Sequence, residues 1–128
     1  MLNIFTDGSC TPNPGEMRVG VAVLRGAEVV HRISKPMGFG TSNQAELLAI
    51  KEALQYIPAG EPAVIHIDSK YAIGVIGKNW NATKNLGLIS DIKTLYRRFT
   101  NIRLVKVKGH SGIHGNELAD SLAEGCTS

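Results

Sequence analysis

Asp7, Glu46, Asp68 and Asp120 occupy positions where a folded chain ordinarily places apolar side chains. Asp7 follows the run Leu2-Asn3-Ile4-Phe5, and Asp68 ends Ala63-Val64-Ile65-His66-Ile67. Glu46 falls on the apolar stripe of a helical segment, and Asp120 lies beside Leu118, Ala119 and Leu122. A carboxylate removed from water is costly unless it is paired or bound to a metal. These four have no Lys or Arg beside them in the sequence. Four oxygen donors without counter-charges suit hard divalent cations. Taken together they can hold two such ions about 4 Å apart, an arrangement that activates a water and stabilises the leaving oxygen of a phosphodiester. No side-chain nucleophile is evident, because neither Ser9 nor Ser69 has a base at a recognisable spacing. Singly, each acid has a plainer reading. Asp68 could cap a helix, Asp7 before Gly8 could close an Asx-turn, and Asp120 could be a solvated helix residue.

The elements that must position these acids are readable from pattern. Residues 2–6 predict a strand ending at Asp7-Gly8, followed by a loop over 8–15 dense in turn formers. Residues 18–25 and 28–34 predict a hairpin around Gly26-Ala27, and 35–41 a loop containing Pro36, Gly38 and Gly40. A helix is expected from Ser42 to Ile57, with Thr41 and Gln44 as a capping box and Pro58 and Gly60 as stops. Residues 63–68 predict a strand, 69–77 a short helix, 78–84 a loop, and 86–99 a helix. Residues 103–108 alternate like a half-buried strand; 109–115 form a loop, and 116–124 a last helix. The order βββαβααβα gives an α/β fold: a five-stranded mixed sheet with helices on both faces. Three strands form an antiparallel meander and two run parallel. The strands bearing Asp7 and Asp68 are expected side by side, joined by a right-handed crossover, with their C-terminal ends at one edge. Glu46 shares a face with Ile50, Ala53, Leu54 and Ile57 and would point back over that edge; Asp120 shares a face with Asn116 and Glu124.

Length and composition set the frame. The 128 residues suit one domain, spanning 1–128. Hydrophobic residues are 43% and charged residues 20%, ordinary for a globular protein. No apolar run is long enough to span a bilayer and no signal-peptide pattern opens the chain, so a monomeric cytoplasmic protein is expected. Cys10 and Cys126 lack metal-type spacing and read as free thiols in a reducing compartment. Charge is uneven. Residues 70–108 hold nine of the fourteen Lys and Arg and a single acid, Asp91, for a net +8; the remainder is −5. A basic half beside an acidic one fits a polyanion held near bound cations, although a solvated basic face has the same pattern.

Four segments in order, residues 4–15 (IFTDGSCTPNPG), 41–50 (TSNQAELLAI), 67–73 (IDSKYAI) and 107–120 (VKGHSGIHGNELAD), resemble type 1 ribonuclease H over nearly the whole chain. The resemblance implies cleavage of the RNA strand of an RNA/DNA hybrid with two Mg²⁺ ions, Mn²⁺ being a possible substitute. The family's acids fall on Asp7, Glu46, Asp68 and Asp120, and its loop histidine, an aid to proton transfer or product release, falls on His110. Minor-groove contacts to ribose hydroxyls fall on Cys10, Asn13 and Asn43, with Lys70 where many members have Gln. A DNA-strand phosphate contact falls on Thr41 with Asn85, and the remnant of a DNA-strand channel on Trp80 and Lys84. Reading 2′-hydroxyls and groove shape is how a protein tells RNA from DNA. The short segment 78–85 implies that the basic protrusion of many members is missing.

Two other classes compete with that reading: a hybrid-binding module without turnover or a detached domain of a reverse transcriptase, and a resolvase- or integrase-like DNA-processing enzyme. The full set of acids with His110 argues against the first, and the ribose-reading loop residues argue against the second.

Overall fold

The computed structural model describes residues 1–78, 80–107 and 114–125. Its elements are β1 (Leu2–Cys10), β2 (Gly15–Arg25), β3 (Glu28–Gly40), α1 (Ser42–Tyr56), β4 (Ala63–Ile67), α2 (Lys70–Gly77), α3 (Leu86–Arg97), β5 (Ile102–Lys106) and α4 (His114–Ala123). The five strands form one sheet in the order β3-β2-β1-β4-β5. The β1–β2 and β2–β3 pairs are antiparallel, and β1–β4 and β4–β5 are parallel.

Strand alternation sends side chains to two unlike faces. On one, Leu2, Ile4, Val21, Val23, Ile65 and Ile67 meet Leu47, Ile50 and Leu54 of α1, Ala72, Ile73, Val75 and Ile76 of α2, and Ile89 and Ile92 of α3. This is the main core; each fully buried aliphatic side chain contributes roughly 1.5–3 kcal/mol. On the other face, Phe5, Ala22 and Leu24 pack against Ala119 and Leu122 of α4. Helices therefore cover both faces, as the element order predicted.

The strands run further than expected. Gly8, Ser9 and Cys10, read as loop, pair with Val19, Arg18 and Met17, and β2 begins at Gly15 instead of residue 18. The expected loop over 35–41 is mostly the second half of β3, Pro36 included. Pro36 is tolerated because β3 is an edge strand, where a missing N–H breaks no ladder on its open side. A register shift between Met17 and Arg18 absorbs Met37. Turn-forming composition thus yielded to the ladder offered by β2. At the other end of the chain, α4 starts at His114, two residues before the expected Asn116, so exposed His114 opens a helix and is not a loop residue.

Candidate active site

Parallel pairing of β1 and β4 carries Thr6 opposite Ile67, so the next residues, Asp7 and Asp68, emerge side by side at one edge of the sheet. Glu46 joins them from the first turns of α1. That helix starts where it does because Thr41 is extended and its Oγ1 accepts the Gln44 N–H at 3.2 Å. Its buried stripe then includes Ala45, Ala49, Ile50, Ala53 and Leu54. Gly8 makes the approach possible: any Cβ there would overlap the backbone of Ala45 and Glu46. The Gly8 N–H donates to Glu46 Oε1 at 3.0 Å and fixes that carboxylate. Each of Asp7, Glu46 and Asp68 offers an oxygen, and the three lie within 4.8 Å of one another.

Electrostatics show what this proximity costs. Burial pushes the Asp7 carboxyl up to about 10, and the neighbouring Glu46 and Asp120 carboxylates add to the rise. Burial likewise lifts Glu46 to about 7, with a further contribution from Asp68, while the Gly8 N–H opposes it. Glu46 Oε2 is buried and meets no donor among the described residues. A divalent cation is the partner that such oxygens fit: it supplies positive charge at short range and takes carboxylate ligands. Asp120 arrives from α4 on the opposite face, near enough to push both Asp7 and Glu46 upward, although it lies outside the tight group formed by Asp7, Glu46 and Asp68. Asp120's expected companions diverge, since Asn116 is fully buried and Glu124 exposed beyond the end of α4. His110 and Cys126 lie outside the described residues.

A polar cleft of about 440 Å³ lies at the first turns of α1 and α2, the helix ends nearest in sequence to Glu46 and Asp68. Asn13, Thr41, Asn43, Lys84 and Asn85 all line it, five of the residues expected to touch substrate. The loop between β1 and β2 is pinned to α1 by Asn13, whose Nδ2 donates to Ser42 Oγ at 2.9 Å and whose Oδ1 accepts the Ser42 N–H at 3.1 Å. Asn85 has a positive φ of 60° and donates through Nδ2 to the Tyr71 hydroxyl at 3.3 Å. Ser42, Tyr71 and Asn81 also line the cleft and were not singled out from sequence. Ser42, next to the helix cap, was the one with a visible signal. Cys10 lies beneath, its Sγ directed at the carbonyls of Pro12 and Gly40 and packed with Met17 and Ala45. Lys70 is exposed at the start of α2. Trp80 is half-exposed and lies over Gly74, where a Cβ would overlap its ring.

The RNase H family model matches residues 1–127. This chain belongs to the RNase H family. The ribonuclease HI of Pasteurella multocida is 36% identical to it, covering 96% of this chain and 87% of the relative. The ribonuclease H of Mannheimia succiniciproducens is 37% identical, covering 96% and 85%. Among solved structures, the N-terminal RNase H domain of a Mycobacterium tuberculosis protein, fused to maltose-binding protein, superposes with a TM-score of 0.83 at 24% identity, covering 99% of this chain and 98% of that one. LC11-RNase H1 in complex with an RNA/DNA hybrid gives 0.82 at 19%, covering 98% of each chain. The RNase H sheet is therefore the scaffold on which the acids and the cleft stand. No described helix of this family member is long and apolar enough to cross a membrane.

Proposed function

We propose that this chain is an endoribonuclease that hydrolyses the RNA strand of RNA/DNA hybrids, leaving 5′-phosphate and 3′-hydroxyl ends. The observation that carries the reading is the Asp7–Glu46–Asp68 cluster, its oxygens within 4.8 Å, set beside a cleft rich in amides and hydroxyls. Asp7, Glu46, Asp68 and Asp120 would hold two Mg²⁺ ions, which when bound supply an activated water and stabilise the leaving oxygen. The chain's own residues do the rest. The adjacent strand ends fix Asp7 and Asp68, the Gly8 N–H orients Glu46, and α4 delivers Asp120. His110 serves as the proton-transfer or product-release aid. Asn13, Asn43 and Lys70 face ribose hydroxyls in the minor groove, and Cys10, whose thiol is buried against Met17 and Ala45, supports that loop from within. Thr41 and Asn85 receive a DNA-strand phosphate near the N-terminus of α1, where backbone N–H groups favour anions. Trp80 and Lys84 line the path of the DNA strand beyond.

The test is a cleavage assay on matched RNA/DNA, RNA/RNA and DNA/DNA duplexes in Mg²⁺ and separately in Mn²⁺. Cutting of the RNA strand in the hybrid alone is expected. Binding without cutting in both metals would make the protein a hybrid-binding module. Cutting of DNA/DNA would make it a DNA-processing enzyme.

A further inference from the structure

Two of the four acids ride on helices, and each helix lies with its backbone directly on a glycine of the sheet. Gly8 seats α1, as described. Its counterpart for α4 is Gly20, whose absent Cβ leaves room for the Ala119 carbonyl oxygen and the Ala123 nitrogen. Gly20 is the register partner of Asp7 across the β1–β2 ladder, and Ala119 directly precedes Asp120. The contact that sets the height of α4 thus falls between the two carboxylates that α4 and β1 contribute.

The far end of α4 is fastened as well. Its last carbonyls have no partners within the helix and must find them elsewhere. Ser9 Oγ of β1 donates to the Ala123 carbonyl at 2.6 Å. Ser34 Oγ of β3 donates to the Leu122 carbonyl at 2.6 Å and accepts from Arg18 Nη2 of β2 at 3.1 Å. Two strands therefore bond directly to this helix end, and β2 braces one of the two serines, in addition to the turn bond from the Gly125 N–H to the Leu122 carbonyl.

We infer that Gly20 and Ser34 are positioning residues for Asp120: they set the height and tilt of α4 over the sheet, and so the distance of the Asp120 carboxylate from Asp7. The inference rests on the proposed reading of Asp120 as a metal ligand. A methyl group at Gly20 meets backbone, not a side chain that could turn aside, so α4 must lift by something on the order of an ångström. Ligand distances around a divalent cation tolerate only about 0.2 Å. Asp7, Glu46 and Asp68 do not depend on α4 for their placement and keep their geometry. The expected defect is therefore confined to the cation that Asp120 helps to hold.

The experiment compares wild type with Gly20→Ala, Ser34→Ala, Asp120→Asn and the Gly20→Ala/Asp120→Asn double variant. It measures Mg²⁺ binding by calorimetry without nucleic acid, the Mg²⁺ concentration for half-maximal cleavage, and Tm. Gly20→Ala is expected to weaken Mg²⁺ binding about 10-fold, the scale seen when groups that orient a ligand are altered, and to raise the Mg²⁺ requirement in step. Ser34→Ala leaves the backbone contact intact and is expected to give a smaller shift in the same direction. In the Asp120→Asn background, Gly20→Ala should add nothing, because its route to the metal is already gone. A Gly20→Ala protein with lower Tm but unchanged Mg²⁺ binding overturns the inference, as does an effect fully additive with Asp120→Asn. If Gly20→Ala does not fold, Ser34→Ala decides: an unchanged Mg²⁺ requirement overturns it. If instead Asp120→Asn itself leaves Mg²⁺ binding and requirement untouched, the metal-ligand reading of Asp120 is what fails.

Discussion

The acid cluster and the polar cleft are neighbours built on opposite principles. In the cluster, three carboxylates crowd within 4.8 Å, partly buried, with pKa values pushed upward by that burial. The cleft is open, its lining dominated by amides and hydroxyls, with Lys84 the one charged residue among the described residues that line it. The cluster is held by sheet ladders and helix backbones. The cleft is held by side-chain hydrogen bonds such as Asn13 to Ser42 and Asn85 to Tyr71. The lesson is a division of labour: one region crowds carboxylates whose charge a proton or a metal cation relieves, and the other offers neutral hydrogen-bonding groups that do not compete for that cation.

The contrast breaks most sharply at the cluster. Asp7→Asn, Glu46→Gln or Asp68→Asn is expected to abolish cleavage in Mg²⁺ while hybrid binding is kept or tightened, checked by paired cleavage and binding assays. Near wild-type turnover in any one would remove that residue from the site. Next in size, His110→Ala is expected to slow turnover by about 10- to 10³-fold with Mg²⁺ binding unchanged, as for loss of a proton-transfer aid. A loss as complete as for Asp7→Asn would make His110 a ligand.

Protons and metal should compete at the same oxygens. Folded-state pKa values of about 10 for Asp7 and about 7 for Glu46 exceed the unfolded values near 4, so the folded state binds the extra protons. Stability from these groups is complete below pH about 4 and is lost as pH rises through the folded values. The metal-free protein should therefore show these groups' contribution to Tm falling between pH 5 and 9. Added Mg²⁺ should raise Tm most at the alkaline end, where Glu46 has already lost its proton and fewer protons have to leave. A Mg²⁺-induced rise that is larger at pH 5 than at pH 8 contradicts this account. The smallest effect belongs to the cleft. Lys84→Ala is expected to raise KM and flatten the salt dependence of binding by about one unit, with kcat nearly unchanged. An unaltered salt slope would show that Lys84 meets no phosphate.

Legibility followed the same division. The sheet was readable because periodicity fixes it, and the meeting of Asp7, Glu46 and Asp68 followed from two adjacent strand ends and the stripe with Ile50 and Leu54; each strand-end acid alone had a plainer reading, and Asp120 was singled out mainly by the resemblance. Strand ends were less legible. Pro36 and the glycines around it signal a turn locally, and only the neighbouring strand β2 shows that they belong to an edge ladder. The cleft was half legible: the resemblance singled out Asn13, Thr41, Asn43, Lys84 and Asn85, and of these the helix-start pattern by itself marked only Thr41. Tyr71 enters only through a contact fourteen residues away. The seats of α1 and α4 were not legible, since nothing in one strand's sequence shows which of its glycines a distant helix will touch.

Trp80 gives the molecule a built-in optical label. It is the only tryptophan in the chain, it rests half-exposed over Gly74, and it immediately precedes Asn81 of the cleft wall. Its emission therefore reports on one side of the protein only. An occupant of the cleft that reaches past Asn81 would meet that indole, whereas a cation among the acids would not. Nucleic-acid arrival and metal loading can thus be followed by separate signals in the unmodified protein, and the order in which the two regions fill becomes a matter of reading one fluorescence trace against one calorimetric trace.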